Sequence, residues 1–110
     1  MTTDNYMPEN TRRIAERVKT QIQCTWGTTR ECPRNGQITS LSGRGCFILT
    51  KAVVSVGQNL FVRIWLPSER WLAIRGRVLY QLAEVGFGIS FVELTDDEAS
   101  QIEALIEHYR

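Results

Sequence analysis

TSLSGRGCF, residues Thr39 to Phe47, reads as the end of one strand, a glycine-jointed corner and the start of the next strand. A plain β-turn is satisfied by one glycine at the residue that needs positive φ and one small polar neighbour. This corner holds Ser40, Ser42, Gly43, Arg44 and Gly45. The surplus of polar and glycine residues points to work beyond turning the chain.

The same β reading extends on both sides. Upstream, VKTQIQCTW places Val18, Ile22, Cys24 and Trp26 at even spacing with polar residues between, the period of a half-buried strand. TRECPRNG collects Pro33, Asn35 and Gly36 as turn formers, and QITSLS then alternates less regularly through Ile38 and Leu41. Downstream, CFILT is a short strand and KAVVSVG a loop closed by Gly57. NLFVRIWLP alternates Leu60, Val62, Ile64 and Leu66 with Phe61, Arg63 and Trp65, and Pro67 ends it by removing a ladder donor. WLAIRGRVLYQL follows a PSER turn, with Gly76 in mid-strand as the expected place of a bulge or barrel bend. GFGISFVEL is the last strand.

Only the C-terminus has helical periodicity. Thr95 with Glu98 forms a capping box, Asp96 and Asp97 suit the positive end of the helix dipole, and Ala99, Ile102, Leu105, Ile106 and Tyr109 make one apolar stripe. Six short strands and one amphipathic helix predict a mostly β fold, a six-stranded antiparallel barrel with the helix over an open end or side. Residues 1–17 lack any sustained pattern and read as a flexible arm, leaving residues 18–110 as the barrel, with the helix at 95–109.

The chain has 110 residues, 43% hydrophobic and 23% charged, the profile of one globular domain. No apolar run approaches the ~20 residues that span a bilayer, and the N-terminus lacks the apolar segment of a secretory signal, so a cytoplasmic location is expected. Cys24, Cys32 and Cys46 have no CxxC spacing, and the only histidine is His108, which argues against a metal site. Free thiols filling the core are the expected role. The formal net charge of +1 conceals a polarity, because residues 1–83 carry +7 and residues 84–110 carry −6. Eleven of the 13 basic residues are arginine, the side chain suited to planar bidentate recognition of anions.

No Ser/His/Asp set, GxxxxGK loop or HExxH spacing occurs, so catalysis is not expected. Arg13 and Arg17 precede the first strand, and the corner follows the second, so the two can converge. Arginine donates paired hydrogen bonds to guanine or phosphate, serine adds a rotatable donor and acceptor, and glycine admits close approach of a ligand. These are parts for holding a guanine nucleotide.

With RIAER (Arg13 to Arg17), SLSGRG (Ser40 to Gly45) and VGFGISFVEL, the sequence resembles the PilZ domains, bacterial receptors for the second messenger cyclic di-GMP. The first two stretches stand where that family has RxxxR and (D/N)xSxxG. The resemblance implies a six-stranded barrel whose arginine arm folds over the mouth and clamps cyclic di-GMP against the corner. It assigns Arg13 and Arg17 to the ligand's guanine and phosphate, Ser42 to a polar contact and Gly45 to close approach. Arg12 is placed to assist, Arg44 to help with a phosphate, and Tyr80, read as a core or rim residue, to stack on a guanine from the rim.

Ser40 is a departure, since the family has Asp or Asn there. Serine has a shorter reach and one oxygen, and losing a hydrogen bond involving a charged group costs roughly 1.5–3 kcal/mol. The alternative is a divergent adaptor that binds a protein partner and no nucleotide. No cofactor beyond the ligand is implied. Nucleic acid is disfavoured as a partner by the near-neutral total charge and the absence of clustered aromatics along the sequence.

Overall fold

The computed structural model describes residues 16–110. Six strands, β1 (Val18–Gly27), β2 (Arg34–Leu41), β3 (Gly45–Leu49), β4 (Asn59–Trp65), β5 (Trp71–Leu82) and β6 (Gly86–Val92), are followed by the helix α1 (Asp96–Tyr109). The strands close into an antiparallel barrel in the order β1-β2-β3-β6-β5-β4, with β4 returning to β1. Closure gives every strand two neighbours, so no strand stands at a sheet edge along its whole length.

Alternation sets which side chains enter. Val18, Ile22, Cys24 and Trp26 of β1, Leu60, Val62 and Ile64 of β4, and Leu72, Ile74 and Val78 of β5 are all buried. A six-stranded barrel has room only for side chains inside. Its centre holds Trp26 edge-on to Phe87, ring centroids 4.9 Å apart.

The capping box of α1 is fully formed: Glu98 N–H donates to Thr95 Oγ1 (3.1 Å) and Thr95 N–H to Glu98 Oε1 (3.0 Å). Ile102, Leu105 and Ile106 are buried in the same core, Tyr109 packs against it, and Ala99 is exposed. The helix therefore buries a narrower stripe than its sequence offers.

Two expectations are corrected. β2 starts at Arg34, so Asn35 and Gly36 belong to a strand and not to the preceding turn. That turn is closed upstream of them, by Cys32 N–H donating to the Thr29 carbonyl (3.1 Å). Gly36 is small for packing reasons, because a Cβ there would lie 2.8 Å from Ile48 Cγ2 and 3.2 Å from Trp26 Cδ1. The bulge of β5 falls between Val78 and Tyr80, while Gly76 keeps regular pairing with Leu60 and leaves room for the Ile89 side chain.

All three cysteines are free and buried. Burial, with Cys32 nearby, pushes the Cys24 thiol up to about 12, and burial raises Cys46 and Cys32 as well. Because the thiolate is the nucleophile, the folded protein should resist iodoacetamide at pH 8 at Cys24 and Cys46 while urea exposes both. Alkylation of either at the same rate with and without urea, read by mass spectrometry, contradicts this packing.

Candidate functional site on the outer barrel wall

The site is built on a line of broken register. β1 pairs Lys19 with Ser40 and next Ile22 with Ile38; β2 pairs Ile38 with Ile48 and next Ser40 with Phe47. β5 pairs Val78 with Ile89 and next Tyr80 with Gly88. Each is a bulge, an extra residue that bends its strand and re-aims the side chains beside it. The three bulges adjoin one row across the sheet, Lys19–Ser40–Phe47–Gly88–Tyr80.

This row lies on the outside of the barrel. Leu41, Cys46 and Ile48, the neighbours of Ser40 and Phe47 along their strands or in the next pair, are buried inside, while Lys19 and Tyr80 are exposed. Thr20 is buried beneath it, its hydroxyl donating to the Ile38 carbonyl at 2.6 Å where the ladder is interrupted.

Arg17 reaches this wall from just before β1, and its Nη1 donates to Ser40 Oγ at 2.9 Å. Beside the pair runs an open groove lined by Arg17, Lys19, Gln21, Gln37, Thr39 and Ser40, with Leu49 and Tyr109 at its borders. Among the described residues two cations and no carboxylate line it, which makes it attractive to an anion. Glu16, next in the chain, is held by Arg110.

The corner residues divide into two kinds. Ser42 is 3% exposed; its N–H donates to the Gly45 carbonyl (2.9 Å) and its Oγ accepts from Arg44 N–H (3.2 Å). The Arg44 carbonyl accepts from Phe91 N–H (2.8 Å). At Gly45 a Cβ would lie 2.0 Å from the Ile89 carbonyl oxygen, so the close approach that this glycine permits in the structure is that of β6. Ser42 and Gly45 hold the corner, whereas Ser40 and the exposed Arg44 present themselves to solvent.

Tyr80 is not a core residue. It is 46% exposed, covers Gly88, where a Cβ would meet the ring at 2.6 Å, and stacks with Phe47 at 6.2 Å. Three strand spacings, about 14 Å, separate it from Ser40. The structure thus brings Arg17 and Ser40 together, joins Tyr80 to them through Phe47, and turns Ser42 and Gly45 inward. Arg12 and Arg13 lie outside the described residues. Lys19, Thr39 and Phe47 are site residues that pattern reading misses; the visible signal is the three-residue step from Ile38 to Leu41, which needs a bulge if both are buried.

The family model for the PilZ domain matches residues 11–108. The chain belongs to the PilZ domain family. PilZ domains are receptor and adaptor domains that bind cyclic di-GMP and partner proteins. No curated protein matches the chain by sequence.

Among solved structures, the Bacillus subtilis inhibitor of motility MotI/DgrA is similar with a TM-score of 0.71 at 14% identity, over 97% of this chain and 61% of that one. The PilZ domain of CeSA from a cellulose-synthesizing bacterium has a TM-score of 0.65 at 17% identity, over 87% of this chain and all of that one. MrkH of K. pneumonia in its apo state has a TM-score of 0.62 at 19% identity, over 86% of this chain and 48% of that one. This PilZ chain spans about three-fifths of the MotI chain and half of the MrkH chain. At these identities the likeness is one of fold. No helix among the described residues is long and apolar enough to cross a membrane.

Proposed function

We propose that this PilZ domain is a cyclic di-GMP receptor whose ligand lies on the outer wall, between the arginines of RxxxR and the row that starts at Lys19 and Ser40. The observation that carries this reading is the 2.9 Å hydrogen bond from Arg17 to Ser40. It joins the last residue of one family motif to the first residue of the other across 23 residues of sequence.

The groove beside the pair offers guanidinium and ammonium groups for phosphates, and hydroxyl and amide groups for a base edge. Phe47 and Tyr80 extend the row as an aromatic surface. Arg13 is assigned to the ligand by its place in the motif, Arg12 by standing next to it, and Arg44 by its exposure beside the corner. Binding phosphates between arm and wall would order the arm and change the surface shown to a protein partner. A bacterial cytoplasmic role in second-messenger signalling follows from this reading.

A second reading is favoured by one observation. Ser40 stands where the family has Asp or Asn, and its single oxygen has a shorter reach toward guanine N–H groups. Calorimetric titration of the wild type and of Ser40→Asp with cyclic di-GMP, with GTP as control, separates the two. In a receptor the wild type binds cyclic di-GMP selectively, and the added carboxylate, able to accept from guanine N–H groups, tightens binding roughly tenfold, about one charge-assisted hydrogen bond. No binding by either protein, both folded by thermal melt, overturns the receptor reading and leaves the adaptor reading ahead.

A further inference from the structure

The wall on the other side of the barrel carries a second recognition surface. β4 and β5 lie opposite β2 and β3 in the closed order of strands. Cross-strand pairing puts Trp65 beside Trp71, Arg63 beside Ala73 and Phe61 beside Arg75 on the outside of this wall. The two tryptophan rings pack at 4.9 Å. Arg63 lies over the Trp71 ring at 5.2 Å, and Arg30, from the β1–β2 connection, over Phe61 at 5.0 Å. Ala73 is small, so a hollow opens between Arg30, Arg63 and Arg75.

Guanidiniums stacked on rings are preorganised. Their planes are fixed by the aromatic face, and their N–H edges point outward, where they can grip a carboxylate in two parallel bonds with little further loss of rotamer freedom. Among the described residues, neither Arg30 nor Arg63 has a carboxylate within 4 Å, whereas Arg75 is paired with Glu93. Of the chain's own carboxylates, Glu93 is taken by Arg75, Glu98 by the helix cap, Asp97 by Gln101 and Glu107 by Arg110. An acidic occupant supplies what the stacked Arg30 and Arg63 lack.

A phosphate chain fits less well. Glu93 and Glu98 line the hollow and repel phosphates, and one guanidinium already lies over each of Phe61 and Trp71, which leaves Trp65 as the ring of this wall with no guanidinium of the described residues over it. The facing edges of β4 and β5 are paired with each other from Asn59–Arg77 to Trp65–Trp71, so a peptide laid on the face of this wall is read by side chains. Tryptophan and arginine are the residues that dominate such interfaces.

We propose that the β4–β5 wall docks an acidic segment of a partner protein, which presents a carboxylate to Arg63 and Arg30 and an apolar side chain to Trp65 and Trp71. The test uses the full chain and a labelled peptide of four Glu-Glu-Leu repeats, followed by fluorescence anisotropy and by the indole N–H signals of the three tryptophans. The expected result is that Trp65 and Trp71 signals shift while that of buried Trp26 does not. Arg63→Glu weakens the peptide at least about tenfold, a difference of about 1.4 kcal/mol. Lys19→Glu, at the far end of β1 from Thr25, the cross-strand neighbour of Arg63, leaves it unchanged. If Arg63→Glu melts early, Arg63→Gln replaces it, with the same loss expected at about half the magnitude in logarithm. The proposal is overturned if the peptide leaves the indoles unmoved, if Lys19→Glu weakens it as much as Arg63→Glu, if oligothymidylate binds this wall more tightly than the peptide, or if concentrating the protein alone shifts Trp65 and Trp71, which makes the occupant a second copy. Cyclic di-GMP titration of Arg63→Glu reports on the other wall and is expected to match the wild type, so the two surfaces fail or stand separately.

Discussion

Arg17→Ala is expected to lower affinity for cyclic di-GMP by about two orders of magnitude or more while leaving the barrel intact. The guanidinium is exposed, and its one bond within the described residues is to Ser40. Surface contacts of this kind contribute about 0–1 kcal/mol to stability, so the melting temperature should move by only a few degrees. Toward a phosphate or guanine edge the same group can make two charge-assisted bonds, each about 1.5–3 kcal/mol, and each 1.4 kcal/mol is tenfold in affinity. The measurement is calorimetry on the folded variant beside the wild type. An unchanged dissociation constant removes Arg17 from the ligand site and with it the convergence of arm and corner. Arg17→Lys adds a control, because a point charge keeps the long-range attraction and loses the bidentate geometry, and it should fall between the two.

Gly45→Ala is expected to be the most damaging small substitution in the corner, and its effect should be on folding. The added methyl would sit 2.0 Å from the Ile89 carbonyl oxygen and 3.1 Å from Ser90 Cα, both backbone atoms of β6, so no rotamer change relieves it. β6 must move away from β3, which strains the Gly45–Ser90 pairing and the bonds from Phe91 N–H to the Arg44 carbonyl and from Ser42 N–H to the Gly45 carbonyl. Overpacking costs about 1–3 kcal/mol and each bond lost about 1 kcal/mol, a large share of the roughly 5–15 kcal/mol that holds a domain folded. A fall in melting temperature of at least about 10 °C is expected. Gly76→Ala is the comparison, since its nearest neighbour at 2.7 Å is the movable end of the Ile89 side chain. A Gly45→Ala variant that melts with the wild type would show that β6 yields easily, and would return Gly45 to the list of residues kept open for a ligand.

These two residues belong to one pair of family motifs and are expected to act on different properties. Loss of cyclic di-GMP binding in a Gly45 variant says little about contact with the ligand unless stability is measured beside it. Arg17 and Ser40 are the positions at which binding can be probed with the frame left standing.

What the sequence determined by itself is whatever depends on near neighbours in the chain. Period-two alternation in VKTQIQCTW and NLFVRIWLP specifies strands and their inner faces, because side chains of a strand alternate whatever it pairs with. Thr95 and Glu98 specify the helix start, since both halves of a capping box lie within one turn. RxxxR and the SLSGRG corner were legible as motifs, and chain order allowed them to converge, while the contact of Arg17 with Ser40 is made by the tertiary structure. Register was not legible. The bulges beside Ser40 and Tyr80, the space required at Gly36 and Gly45, and the burial of Ser42 are all set by the strand that arrives opposite, at distances in sequence that alternation does not encode. The same limit hid the Arg63–Trp71 and Arg30–Phe61 stacks. Phe61, Trp65 and Trp71 look scattered along the chain, and only pairing of β4 with β5 sets them on one wall. Closing six strands into a barrel is a long-range condition, and the outward rows that make both candidate surfaces exist only once that condition is met.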